Sequence, residues 1–176
     1  HVQRIEIVGN VDPSQPRWTI SGTIDGLIIC PELRASLPEP LAQSMEVLAS
    51  SRAPANLSFQ VTRDSDDPTP QFEVNGSLSG GRVDQPLLPY PLTDLAARIH
   101  ADDQGCRIRD ASAHHGQTVW EVTQFDRQGY GANSPCVVRA AGHQVRLDRE
   151  WRNTLPPAWR THWINYDPEG DVNLNC

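Results

Sequence analysis

The sequence predicts a mainly β fold with short helices, an α+β chain built around an antiparallel sheet, and three observations carry that expectation. Apolar and polar residues alternate with period two through much of the chain, as they do where one face of a strand is dry and the other wet. Fifteen prolines and twelve glycines among 176 residues, only 38% of them hydrophobic, mark many turns and few long helices. Short Gly-containing turns separate the alternating runs, which makes neighbouring strands antiparallel.

In chain order, Ile5 and Ile7 alternate with Arg4 and Glu6 in a first strand from Val2 to Gly9, and Asp12-Pro13-Ser14-Gln15-Pro16 turns the chain. Trp18, Ile20, Gly22 and Ile24 then face away from Thr19, Ser21, Thr23 and Asp25. At Gly26 the phase slips so that Leu27 and Ile29 lead, which predicts a bulge. After Leu37-Pro38-Glu39-Pro40, the residues Leu41, Met45 and Leu48 recur at i, i+4, i+7, the stripe of a short amphipathic helix with proline in its first turn. Its opposite face has no Lys or Arg, so the stripe is expected to pack on the sheet and not on a membrane.

Leu57, Phe59 and Val61 predict the next strand, and Phe72, Val74, Gly76 and Leu78 another, with Gly80-Gly81 expected to close it. Pro86, Pro89 and Pro91 cross to a three-stranded meander from Leu92 to Gln128. Its first strand sets Leu95, Ala97, Ile99 and Ala101 against Ala96, Arg98 and His100; its second sets Cys106 and Ile108 against Arg107 and Arg109. The third places Trp120 and Val122 opposite Val119 and Glu121. A strand from Cys136 to Val145, a connection with a helix from Arg149 to Ile164, and a strand from Asp171 to Cys176 follow.

The net charge of −7 comes with fifteen arginines scattered among acids, so no clustered basic surface exists and nucleic acid is not an expected partner. Cys30, Cys106, Cys136 and Cys176 form no C-x-x-C pair and no zinc spacing; buried free thiols are expected, one or two disulfides being the alternative. No run of 18 apolar residues spans a bilayer, and no signal peptide or initiator Met is present. The chain starts and stops in mid-strand, as a piece of something longer would.

Catalytic signals are missing. No Ser/His/Asp set or carboxylate pair has a supporting local motif, so neither an enzyme nor a cofactor is expected. His114-His115 with His100 could hold a metal, but the adjacent pair diverges in an extended strand and reads as a solvated turn. Asp64-Ser65-Asp66-Asp67 and Asp167-Pro168-Glu169-Gly170-Asp171 lack calcium-loop spacing. Five tryptophans could form a sugar-stacking platform, although Trp159 and Trp163 fit helix packing better.

An internal repeat organises the rest. Residues 20–41 align without a gap on residues 138–159 at a separation of 118, matching Glu32 to Glu150, Arg34 to Arg152 and Leu37-Pro38 to Leu155-Pro156. Ile20, Leu27 and Ile29 fall on Val138, Val145 and Leu147, and Leu41 and Met45 on Trp159 and Trp163. A three-residue deletion then sets Leu57 on Val172. The expected division is one unit at 1–128 and the start of the next at 129–176.

The run Pro89-Tyr90-Pro91-Leu92-Thr93-Asp94-Leu95, the strand and turn after it, then Cys106 to Ala113 and a Gly turn into Val119 to Val122, resembles the repeat of AsmA-like proteins of Gram-negative-type envelopes. Residues 70 to 128 carry most of the likeness; Ala96 stands where that repeat commonly has glycine. The resemblance implies a curled antiparallel sheet, a β-groove or taco with helices at strand crossovers, forming part of a repeat array. It also implies a periplasmic place, an inner-membrane anchor in a segment outside this chain, a role in lipid transport or envelope assembly, and a phospholipid or other acyl lipid as partner, with envelope proteins as further partners. The groove-facing residues would be Phe72, Val74, Leu78, Leu95, Ile99, Cys106 and Ile108. An extracellular β-rich binding or adhesion module, carbohydrate-binding among the options, is the alternative from a different class.

Overall fold

The computed structural model describes residues 2–12, 17–35, 51–64, 69–84, 89–131, 133–155, 157–166 and 168–175. The expected helix with Leu41, Met45 and Leu48 lies outside them, as do residues 13–16 and Cys176. Nine strands among the described residues form one antiparallel sheet whose order is the order of the sequence. They are β1 (Arg4–Asp12), β2 (Arg17–Ile29), β3 (Ser51–Arg63), β4 (Gln71–Val83), β5 (Leu92–Asp102), β6 (Gly105–His115), β7 (Thr118–Gln128), β8 (Cys136–Leu147) and β9 (Gly170–Asn175). Three short helices among the described residues accompany them: α1 (Pro31–Ala35), α2 (Arg149–Thr154) and α3 (Pro157–Tyr166). Among the described residues the sheet does not close, since β1 and β9 each pair there on one side only.

Most strands are longer than the alternation suggested. β4 runs through Gly80-Gly81 to Val83, so the glycine pair does not end a strand; Gly80 takes φ +69° inside it, where β4 slips register against β5 between Leu78 and Gly81. Similar slips occur in six of the eight strand pairings, all but β1–β2 and β6–β7. Each extra residue bends its strand and raises the local twist. Pro54 fits the same pattern: it lies within the slip of β3 against β4, where a ladder can spare an N–H.

The phase slip read at Gly26 is one of these bulges, falling between Ile24 and Leu27 with Gly26 at φ +66°. The Gly26 N–H donates to Asn56 Oδ1 on β3 at 2.9 Å, so the group that the bulge removes from the ladder is still satisfied. β8 repeats the arrangement between Gly142 and Val145, with Gln144 at φ +53° and its N–H donating to Asn173 Oδ1 on β9 at 3.2 Å. A side chain in this backbone region costs about 1–2 kcal/mol. Gln144→Gly is therefore expected to stabilise the chain by about 1 kcal/mol, whereas Gly26→Ala, whose Cβ would lie 2.6 Å from Gln3 Cγ, destabilises it; paired urea melts check both.

The last helical segment divides in two. Asp148 Oδ1 caps α2 by accepting from the Glu150 and Trp151 N–H groups, and Leu155 leaves the helix with extended backbone before α3 begins.

Candidate functional site: the apolar face of the sheet

Strand register decides which side chains share a face, because directly opposed residues of an antiparallel pair point the same way. Ile24 of β2 opposes Leu57 of β3, Phe59 opposes Val74 of β4, and Val74 opposes Ala101 of β5. Ile99 then opposes Ile108 of β6, Ile108 opposes Phe125 of β7, and Phe125 opposes Val138 of β8. Val145 opposes Val172 of β9, while Ile5 on β1 opposes Ile24. A single apolar face thus crosses all nine strands. Arg63 and Arg127, its charged members, sit at strand ends, where they pair with Trp18 and Cys136.

Phe72, Val74 and Leu78 on β4, Leu95 and Ile99 on β5, and Cys106 and Ile108 on β6 all lie on this face. They are not equivalent in exposure. Leu78 is buried with Ile29, Ala53, Ala55 and Ala97 in the main core cluster, with Leu95, Ile99 and Ile108 packed against it. Phe72, Val74 and Cys106 are half-buried. Burial among apolar neighbours pushes the Cys106 thiol up, against the opposing pull of the Arg127 guanidinium, so Cys106 stays neutral and acts as a small hydrophobe. Cys30, Cys106 and Cys136 are free, and Cys136 is exposed instead of buried because it begins β8 at the end of the sheet.

Burial is graded along the strands. At the end nearer α1 and α2, Ile29, Ala53, Leu92, Ala113 and Val145 are buried. There Trp151 of α2 packs with Tyr90, Leu92 and Ala113, its ring 5.8 Å from that of Trp120. Towards β1 and the opposite end the face stays open: Ile5, Ile7 and Val11 are more than half exposed, and Ile20 and Val138 are 38% and 47% exposed. The sequence reading missed Ile20, Ile24, Leu57, Phe59, Val61 and Phe125 as members of the site. The same period-two signal marks them, but bulges shift its phase, and only pairing shows that it runs on across the sheet.

The other face is polar and laced with charge. Asp126 accepts from Arg109 Nη2 at 2.6 Å and from Gln124, and these partners hold its carboxyl below the usual range. Arg98 pairs with Asp110. The His100 ring bridges Asn75 Oδ1 at 2.8 Å and Asp102 Oδ2 at 3.2 Å. His115 lies instead on the face of Ala113, where it stacks on Tyr90 at 3.8 Å, so it is turned away from His100, and the three histidines named as a metal set do not converge. Among the described residues no group of three His, Cys, Asp or Glu side chains could hold a metal.

Asp102 anchors the two-residue turn between β5 and β6. Burial pushes its carboxyl up, but the N–H groups of Gln104 and Gly105, 2.8 and 2.9 Å from Oδ1, and the His100 ring outweigh burial and hold it below the ordinary value. A depressed carboxyl contributes stability that is fully present above its unfolded pKa of about 4 and is lost as pH falls through the folded value. Acid melts of Asp102→Asn, which keeps an acceptor oxygen, are expected to lose the part of the stability decline below pH 4 that the parent chain shows. Tyr130 closes the same turn, its hydroxyl sharing its one proton between the carbonyl oxygens of Asp102 and Gly105, 2.7 and 2.8 Å away; burial pushes its pKa up to about 12.

The architecture defines a class, an open antiparallel meander with one dry and one wet face. No family model, curated protein or solved structure matches the chain.

Proposed function

We propose that this chain is a segment of a periplasmic, membrane-tethered β-groove protein of AsmA-like type, whose apolar face holds the acyl chains of phospholipid during lipid transport or envelope assembly. The observation that carries this reading is the apolar face itself, continuous over nine strands and partly open to solvent. Contiguous exposed apolar surface on this scale marks an interaction site. Strands of 11–13 residues in β2 to β8 reach roughly 36–43 Å at ~3.3 Å per residue, longer than an extended acyl chain. Each methylene taken from water contributes about 0.8 kcal/mol, without any catalytic group or cofactor. Bulged strands bend, so a sheet with slips in six of eight pairings curls, and the groove is that curl. No helix among the described residues is long and apolar enough to cross a membrane, and the tether is assigned to a segment outside this chain.

The test is native mass spectrometry with lipid extraction on detergent-free protein from the envelope fraction. Phospholipid is expected to co-purify and to be lost from Val74→Asp/Ile99→Asp protein that keeps its β circular dichroism. A clean apo mass from the parent chain, with the same face covered in solution, would sink the lipid reading in favour of a binding module.

A further inference from the structure

The helix α3 does not pack on the sheet as the sequence suggests. None of its residues is buried: Trp159 is 64% exposed and Tyr166 81%, with Trp163 half-buried between them. These three follow i, i+4, i+7 and so share one face of the helix, with His162 beside them. The preceding α2 is held to the covered end of the sheet by Trp151, which packs with Tyr90, Leu92 and Ala113. Arg160 ties α3 back to α2, its Nε and Nη2 donating to the carbonyls of Leu155 and Asn153, both at 2.7 Å. The helix is thereby fixed in place while its aromatic face stays in solvent.

The chemistry of that face says what covers it. At the separation of 118 that relates the two halves of the repeat, Leu41, Met45 and Leu48 fall on Trp159, Trp163 and Tyr166. The stripe is kept, but every aliphatic member has become an aromatic with a polar tip. Aliphatic side chains suffice to pack a helix on a sheet, whereas indole N–H and phenol O–H groups need partners in a dry contact. A bilayer boundary suits both ends of such residues, rings among the acyl carbons and tips among the headgroups. Charge agrees. The two helices carry Arg149, Arg152 and Arg160 against Glu150, a net +2 in a chain of −7. Asp148 and Asp167 flank them and limit the attraction, so the rings supply most of the affinity. We infer that α3 is a docking helix for the surface of an anionic phospholipid bilayer, entered by its Trp159, Trp163 and Tyr166 face. Because α2 joins it to the covered end of the apolar face, docking sets that end of the sheet against the membrane. The inference goes beyond the groove reading and does not depend on what the apolar face holds.

The test is sedimentation of the intact chain with sucrose-loaded vesicles of phosphatidylethanolamine and phosphatidylglycerol. The parent chain is expected to sediment, and Trp159→Ala/Trp163→Ala to weaken partitioning on the order of tenfold or more. Trp159→Leu/Trp163→Met/Tyr166→Leu, which restores the aliphatic stripe, is expected to weaken it less, and Val74→Asp/Ile99→Asp protein to sediment like the parent. No sedimentation by the parent overturns the inference, as does equal sedimentation by Trp159→Ala/Trp163→Ala protein that keeps its β circular dichroism. Sedimentation lost only from the Val74→Asp/Ile99→Asp protein would assign vesicle binding to the sheet and overturn it too. Amide hydrogen exchange of α3 in the full-length protein is expected to be fast and to slow when vesicles are added. Slow exchange before vesicles are added would show the face already covered by the chain itself or by a second copy, against the inference. Lipid co-purification is a separate readout, so either proposal can fail alone.

Discussion

Leu78→Ala is expected to lower the unfolding free energy by roughly 2–5 kcal/mol. Leu78 is 4% exposed and stands in the middle of the main core cluster, between Ala55 on β3 and Ala97 on β5. Its neighbours there are alanines held in place by two ladders, so they cannot move in to fill the space. The lost transfer energy and the retained cavity therefore add. Phe72, on the same strand and face but half-buried, should cost less per atom removed when truncated. Urea unfolding of Leu78→Ala and Phe72→Ala decides it: a loss under about 1 kcal/mol at Leu78 would mean that the face collapses freely and has no fixed core.

Gly105→Ala is expected to cost roughly 2–4 kcal/mol, from a strained backbone and a steric clash together. Gly105 has φ +152°, and a Cβ there would run into the Arg127 carbonyl oxygen and lie 3.0 Å from the Gly129 N. Three strands meet at this point through the Asp102 carboxylate, the Tyr130 hydroxyl and the β6–β7 ladder, so relief in one direction breaks a bond in another. Gly116, in the next turn, is the control. It has φ +57° with open space around it, so Gly116→Ala bears only the backbone term of about 1–2 kcal/mol. Equal losses at the two glycines would show that packing at Gly105 is unimportant.

Much of this architecture is legible in the sequence because alternation is local. Ile5 with Ile7, Ile20 with Ile24, Leu95 with Ile99 and Cys106 with Ile108 each reveal a strand without reference to any other. The slip at Gly26 is visible because glycine coincides with a change of phase. The bulge at Gln144 is hidden, since a polar residue at positive φ looks like any wet-face residue, and only its bond to Asn173 gives the reason for it. Gly80-Gly81 misleads in the opposite way: two glycines look like a turn, yet they serve a bulge inside a long strand. The seven candidate residues fall together because period two assigns each to a face, while the extent of that face needed all eight pairings.

Strand order equal to chain order has a kinetic consequence. Every pairing joins segments adjacent in sequence, so the closure entropy for each hairpin is small and contact order is low for a β protein. Formation can begin at a tight hairpin such as β5–β6 or β6–β7 and zip outward, one strand at a time, with no step that must wait for a distant end of the chain. Such a sheet can assemble progressively as the polypeptide emerges through a narrow channel, each new strand finding its partner already in place.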